Sequence, residues 1–209
     1  MSFFDINNIA FTVLNYPISY VELIGTLFGF ISVYLAARAN ILTWGTGIIN
    51  ELFLFIMFFQ IQLYADMFLQ VYFFAVTLYG WYNWKKKPEQ NSITSIGFKA
   101  RFWLTGIIII GALVMGFMFS NIHLYLPKYF TIKAAYPYTD SFVMILSIFA
   151  TVLLAKKKLE TWYLWIIVDA VCVFLFFKKG VAFLALEYLI FWGMAVSGLL
   201  NWKKQMSNG

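Results

Sequence analysis

Seven apolar stretches, each close to the length of a bilayer crossing, set the terms for this chain. They run over 21–37, 41–61, 67–84, 102–122, 141–155, 161–177 and 181–202, and a spanning helix needs roughly 20 mostly apolar residues. With 63% hydrophobic and 11% charged residues in a chain of 209, too little polar surface remains to dissolve such a set in water. The expected fold is an all-α polytopic membrane protein of seven transmembrane helices. Residues 1–17 lack the basic start of a signal peptide and mix Phe3, Phe4, Ile6, Ile9 and Phe11 with Asp5, Asn7 and Asn8. They are expected to form an interfacial helix kept in the mature chain, with Pro17 marking the turn into the first span.

The distribution of positive charge orients the chain. Arg38, then Lys85, Lys86, Lys87, Lys99 and Arg101, then Lys156, Lys157 and Lys158, then Lys203 and Lys204 follow the odd-numbered spans. The opposite side carries Lys128, Lys133, Lys178 and Lys179. Basic residues accumulate on the cytoplasmic face, so the N-terminus is expected outside and the C-terminus inside, in the plasma (inner) membrane. The same logic assigns the net charge of +6 to the membrane faces and lipid headgroups and excludes nucleic acid as a partner.

The chain also repeats itself at an offset of 118 residues. Gly80, Asn83, Trp84, Lys85 and Lys86 fall on Gly198, Asn201, Trp202, Lys203 and Lys204; Trp44 falls on Trp162, Glu51 on Asp169 and Glu22 on Asp140. This spells a three-helix unit (18–87), a loop and linker helix (88–136), a second three-helix unit (137–204) and a tail (205–209). One span in the linker makes the two units enter the membrane in the same direction, a 3+1+3 arrangement of parallel repeats.

Polar groups placed where hydrocarbon should be are the informative ones, because each costs several kcal/mol unless it faces protein or water. Glu51 and Asp169 occupy equivalent span centres, expected to face a shared pseudo-twofold axis. Trp162, Trp165 and Asp169 have i, i+3, i+7 spacing, which sets two indoles and a carboxylate on one helical face. That combination suits a flat cationic ligand held by stacking and countercharge. Gln70, Thr77 and Trp84 form a second stripe, Asn50, Gln60 and Gln62 add amides, and Glu187 is a third buried acid.

Plainer readings stand beside these. Tryptophans at 44, 84, 162 and 202 also fit interfacial anchors, buried Gln60, Gln62 and Thr77 fit interhelical hydrogen bonds, and Glu51 and Asp169 fit structural acids. Glu22 and Asp140 are expected as solvated caps, Gly25 and Gly29 as a helix-packing motif, and His123 as an interfacial residue. A single cysteine, Cys172, and a single histidine build neither a disulfide nor a multi-ligand metal centre. No phosphate-binding glycine loop, dinucleotide fingerprint, zinc-protease or nucleophile-elbow motif occurs. The chain therefore reads as a non-enzyme without metal or cofactor. A proton-coupled carrier relaying through Glu51, Asp169 and Glu187, and a membrane scaffold with no central site, are the rivals from other classes; homo-oligomerisation is left open.

The segments Gln60-Ile61-Gln62-Leu63-Tyr64-Ala65, Leu69-Gln70-Val71 and Tyr79-Gly80-Trp81-Tyr82-Asn83-Trp84, with Trp162-x-x-Trp165-x-x-x-Asp169 and Leu186-Glu187-Tyr188, resemble the repeat signatures of the PnuC family of vitamin-uptake transporters. The resemblance spans about residues 21–202. It implies a fold like that of the SWEET sugar transporters, a site between the two three-helix units, and uptake of the small molecule nicotinamide riboside by facilitated diffusion, a separate cytoplasmic kinase trapping the product. Relatives carry thiamine or riboflavin. Carried over by position, the site involves Trp44, Asn50, Gln70, Trp162, Trp165, Asp169 and Glu187. Asn is common in riboside carriers where this chain has Thr77, Asp169 and Ser197, which adds those three positions to the candidate set.

Overall fold

The computed structural model describes residues 3–61, 64–86, 92–126 and 135–207. A short hairpin, β1 (Ile9–Val13) and β2 (Tyr16–Ser19), precedes seven helices: α1 (Tyr20–Ala37), α2 (Leu42–Gln60), α3 (Tyr64–Lys86), α4 (Phe98–Tyr125), α5 (Pro137–Ala155), α6 (Glu160–Lys178) and α7 (Ala182–Ser207). Every predicted span coincides with a helix, and α3, α4, α5 and α7 extend several residues beyond the span at one end or both. Six of the seven are apolar and long enough to cross a membrane. The one outside that set, α3, is diluted by Gln70, Asn83, two lysines and several tyrosines and tryptophans. Gln62, Lys87, Lys128 and Lys133 lie outside the described residues.

The amino-terminal expectation is corrected. Residues 9–19 form an antiparallel hairpin, not an interfacial helix, with Val13 opposite Tyr16 and Thr12 opposite Pro17. Leu14 and Asn15 turn the chain at φ 49° and 63°, the left-handed pair that a tight hairpin loop requires. Pro17 therefore sits in a strand edge, where its missing N–H costs nothing, and Ser19 rather than Pro17 starts the helix. The Ser19 hydroxyl accepts the Glu22 N–H at 3.1 Å, an N-cap that satisfies one of the orphan donors of α1.

Helix α1 packs on α2, α2 on α3, α5 on α6, α6 on α7 and α4 on α5. Two further pairings, α1 with α7 and α3 with α5, join the early helices to the late ones. Details recur at the 118-residue offset. The Thr43 hydroxyl donates to the Ser32 carbonyl at 2.9 Å and Thr161 to the Ala150 carbonyl at 2.8 Å. Ala39 and Lys157 adopt the same left-handed turn, at φ 54° and 49°, between successive helices. Trp44 meets Trp84 edge-on at 5.1 Å and 88°, and Trp162 meets Trp202 at 5.6 Å and 85°.

Helix α4 stands at the periphery with Phe98, Phe102, Trp103, Ile110 and Phe117 exposed, as an all-round apolar helix does when lipid is its solvent. Its start is tied to the second half of the chain. Arg101 and Glu160 form an ion pair at 2.8 Å, Glu160 also accepts from the Ser95 hydroxyl at 2.7 Å and the Ile96 N–H at 3.1 Å, and Arg101 donates to Ser95.

Candidate functional site

Three layers of polar and aromatic side chains cross the bundle. The first is a group of four indoles where α3 and α7 end and α2 and α6 begin. Trp84 and Trp202 meet at 6.3 Å, with Trp44 and Trp162 flanking them, and the four are 0–4% exposed. Glycine permits this approach: a Cβ on Gly80 would lie 2.3 Å from the Trp44 ring, and one on Gly198 would lie 2.7 Å from Trp162. The Trp202 indole N–H donates to the Ala36 carbonyl at 2.9 Å, and that of Trp84 to the Ala155 carbonyl at 3.2 Å. The indole nitrogens of Trp44 and Trp162 are buried without a hydrogen-bond partner among the described residues. Trp44 and Trp162 are thus core packing on their ring faces and present one unspent donor each. Lys157 sits 4.4 Å over the Trp84 ring, and burial pushes its ammonium below the ordinary lysine value.

The middle layer holds the candidate acids. Glu51 on α2 accepts the Thr77 hydroxyl of α3 at 2.5 Å, while its second oxygen is buried without a partner among the described residues. Gly47, one turn before, faces the same pair: a Cβ there would sit in ordinary van der Waals contact with Ser32 at 3.4 Å and Thr77 at 3.7 Å. Asn50 donates to the Gly25 carbonyl of α1 at 2.8 Å. It lies where α1, α2 and α7 converge, since a Cβ on Gly29 would touch Asn50 at 3.0 Å and Phe191 at 3.6 Å. Gln70 on α3 is buried. Asp169 on α6 is 4% exposed, and its carboxylate makes no hydrogen bond to any described residue. Trp165, one turn before Asp169, is half-buried between the two apolar clusters of the bundle.

The outer layer is built around Glu187 of α7, which accepts the Thr26 hydroxyl of α1 at 3.3 Å. Glu22 is corrected here. It is buried rather than a solvated cap, and accepts the Tyr16 hydroxyl at 2.8 Å. Asp140 does sit at a helix entrance, 3.6 Å from Lys179.

The structure therefore pairs Glu51 with Thr77, sets Asn50 and Glu187 on the α1–α7 side, and places Trp165 beside Asp169. It does not bring Ser197 to them. Ser197 is exposed, on the stripe of α7 that continues through exposed Ile190 and Leu200 and looks away from the bundle. Sequence reasoning missed Thr26, Tyr16, Phe191 and Phe30, whose ring meets that of Phe191 at 4.6 Å. Thr26 carried a weak signal, a hydroxyl beside Gly25 on an apolar helix; the tyrosine and phenylalanines carried none in a chain where aromatics make up 22% of residues.

Residues 19–204 match the model of a family described as nicotinamide mononucleotide transporter. Among curated proteins, the chain is 32% identical to the nicotinamide riboside transporter PnuC of Escherichia coli, over 97% of this chain and 94% of that one. It is 26% identical to the riboflavin/roseoflavin transporter RibM of Streptomyces davaonensis, over 94% and 91% of the two chains. Among solved structures, the crystal structure of the vitamin B3 transporter PnuC superposes with a TM-score of 0.69 at 21% identity, covering 91% of this chain and 83% of the other.

Proposed function

This chain belongs to the nicotinamide mononucleotide transporter family, a family of integral membrane transporters and not of enzymes, and on that premise we propose that it takes up nicotinamide riboside by facilitated diffusion. The observation that carries the ligand reading is Asp169, a carboxyl group buried in the bundle and without a hydrogen bond to any described residue. An acid placed in hydrocarbon is costly unless something answers it, and a flat pyridinium cation supplies countercharge while Trp165, one turn away, offers an aromatic face. The 32% identical relative named for nicotinamide riboside supports the same cargo.

The proposed machine is a 3+1+3 arrangement. Helices α1–α3 and α5–α7 act as two parallel units, α4 links them, and rocking at the α1–α7 and α3–α5 seams exposes the central site to alternate sides. The contacts that recur at the 118-residue offset support two like units. Helix α3 counts as the seventh span: its 23 residues reach about 34 Å at 1.5 Å per residue, and it is bonded along its length to Glu51, Ile148 and Ala155. With seven spans the lysine and arginine distribution puts the N-terminus outside and the C-terminus in the cytoplasm. For a +1 cargo an inside-negative potential of 100 mV supplies about 2.3 kcal/mol, and a separate cytoplasmic kinase then traps the product.

A second reading, riboflavin, is favoured by the 26% identical relative named for it. Competition among labelled nicotinamide riboside, thiamine and riboflavin for one purified sample separates them. Preferential binding of nicotinamide riboside is expected; preference for riboflavin, with uptake indifferent to membrane potential, would overturn the cationic-cargo reading.

A further inference from the structure

We propose that the N-terminal hairpin is a clasp across the outer end of the α1–α7 seam, and that Tyr16 must leave Phe183 before cargo enters from that side. The inference rests on the alternating-access reading above and names the gate that such a cycle needs.

The hairpin belongs mechanically to the early helices. Strand β2 runs through the Ser19 cap directly into α1. The Gln60 side chain at the end of α2 holds the preceding segment twice, donating to the Phe4 carbonyl at 2.6 Å and accepting the Ile6 N–H at 3.2 Å. Phe4 packs on Phe53 of α2 at 6.0 Å and Phe3 on Tyr20 of α1 at 6.1 Å. A unit built of α1 and α2 therefore carries the hairpin with it.

Tyr16 reaches from that unit to the other. Its ring stacks on Phe183 of α7 at 5.3 Å and 12°, while its hydroxyl donates to Glu22 of α1 at 2.8 Å. Four residues further along each helix, Thr26 of α1 donates to Glu187 of α7 at 3.3 Å. Successive turns of α1 and α7 are thus joined by an aromatic stack at the mouth, a hydrogen bond beneath it and, one turn deeper, Phe30 on Phe191 at 4.6 Å. The first two must break for the mouth of the seam to open. Glu22 anchors the Tyr16 hydroxyl and Glu187 takes the inner bond, so each helix contributes one carboxylate to the seam. Burial and the Glu22 carboxylate hold the Tyr16 phenol above the ordinary tyrosine value, which keeps the hydroxyl a donor across physiological pH.

A purely structural cap and a clasp differ in what happens when the hairpin is fastened. In the full chain carrying Cys172→Ala, the pair Tyr16→Cys and Phe183→Cys is linked with a short bis-methanethiosulfonate, which forms a disulfide to each cysteine with loss of methanesulfinate, and reconstituted in proteoliposomes. Uptake of labelled nicotinamide riboside, thiamine and riboflavin is expected to fall about tenfold on linking and to return on reduction. Equal uptake by linked and reduced protein, or failure of the pair to link, overturns the clasp. A second measurement does not depend on transport: in the same background, Thr26→Cys is labelled from outside with a membrane-impermeant maleimide. Adding Tyr16→Ala is expected to raise the labelling rate roughly threefold or more, as the closed population loses its stack; an unchanged rate overturns the clasp. If the unlinked carrier moves none of the three vitamins, the transport reading fails by itself, and the labelling result still decides whether the hairpin closes the seam.

Discussion

Glu51 and Asp169 stand at matching turns of α2 and α6, yet their surroundings have diverged. Around Glu51, Gly47 brings no side chain and Thr77 supplies a hydroxyl at 2.5 Å. The corresponding positions around Asp169, 118 residues on, are Trp165 and Ala195; Ala195 is buried, and a methyl donates nothing. The second position keeps an acid, with alanine where Glu51 has its hydroxyl partner and an indole where Glu51 has a glycine. The difference teaches that symmetry of position does not carry symmetry of role: one carboxylate is bound into the helix packing, and the other, on the proposed function, is left for the cargo.

The sharpest way to break this comparison is to remove the two charges in turn. Asp169→Asn is expected to cost about 1.5–3 kcal/mol of nicotinamide riboside affinity, the worth of a charged hydrogen bond, whereas Glu51→Gln, which can still accept from Thr77, should stay within about 0.5 kcal/mol of wild type. Titration calorimetry on purified protein measures both, and equal losses would end the distinction. Next in size are the glycines that admit the indoles. Gly80→Ala and Gly198→Ala should each lower stability by roughly 1–3 kcal/mol through overpacking. The larger drop in Tm is expected at Gly80, where the approach is 2.3 Å rather than 2.7 Å.

A subtler change copies the first half onto the second. Ala195→Thr offers Asp169 the hydroxyl that Glu51 already has, and should weaken cargo binding by about 1 kcal/mol; a fall in Tm without a change in affinity would show that the new side chain only crowds the core. Smallest of all, Trp84→Phe and Trp202→Phe each remove one indole-to-carbonyl bond between the early and late helices. Each should cost about 1 kcal/mol or less in thermal stability, with Trp202, at 2.9 Å against 3.2 Å, the larger.

Part of the site was legible in advance and part was not. The i, i+3, i+7 spacing placed Trp165 and Asp169 on adjoining turns of one helix, because helical periodicity is a local property. The same spacing could not say that Trp162 spends its ring on Gly198 and Trp202, or that Ser197 looks out from the bundle, since both depend on which neighbour lies across the groove. Glu22 was misjudged for a related reason: its position at a span entrance reads as solvated until the hairpin folds over it.

The apolar runs alone dictate seven helices at these places, and residue types recur along them at an offset of 118. Hydrocarbon leaves no alternative to an internally hydrogen-bonded helix for so many apolar runs, and the 118-residue offset is written in the residues. It took the folded chain to show that residues 9–19 pair as strands, that four indoles from separate helices share one core, and that Thr77 answers Glu51 while no described residue hydrogen-bonds Asp169. Those outcomes are set by contacts between segments far apart in the chain, where the energy lies in the close approach of two surfaces and neither surface carries it alone.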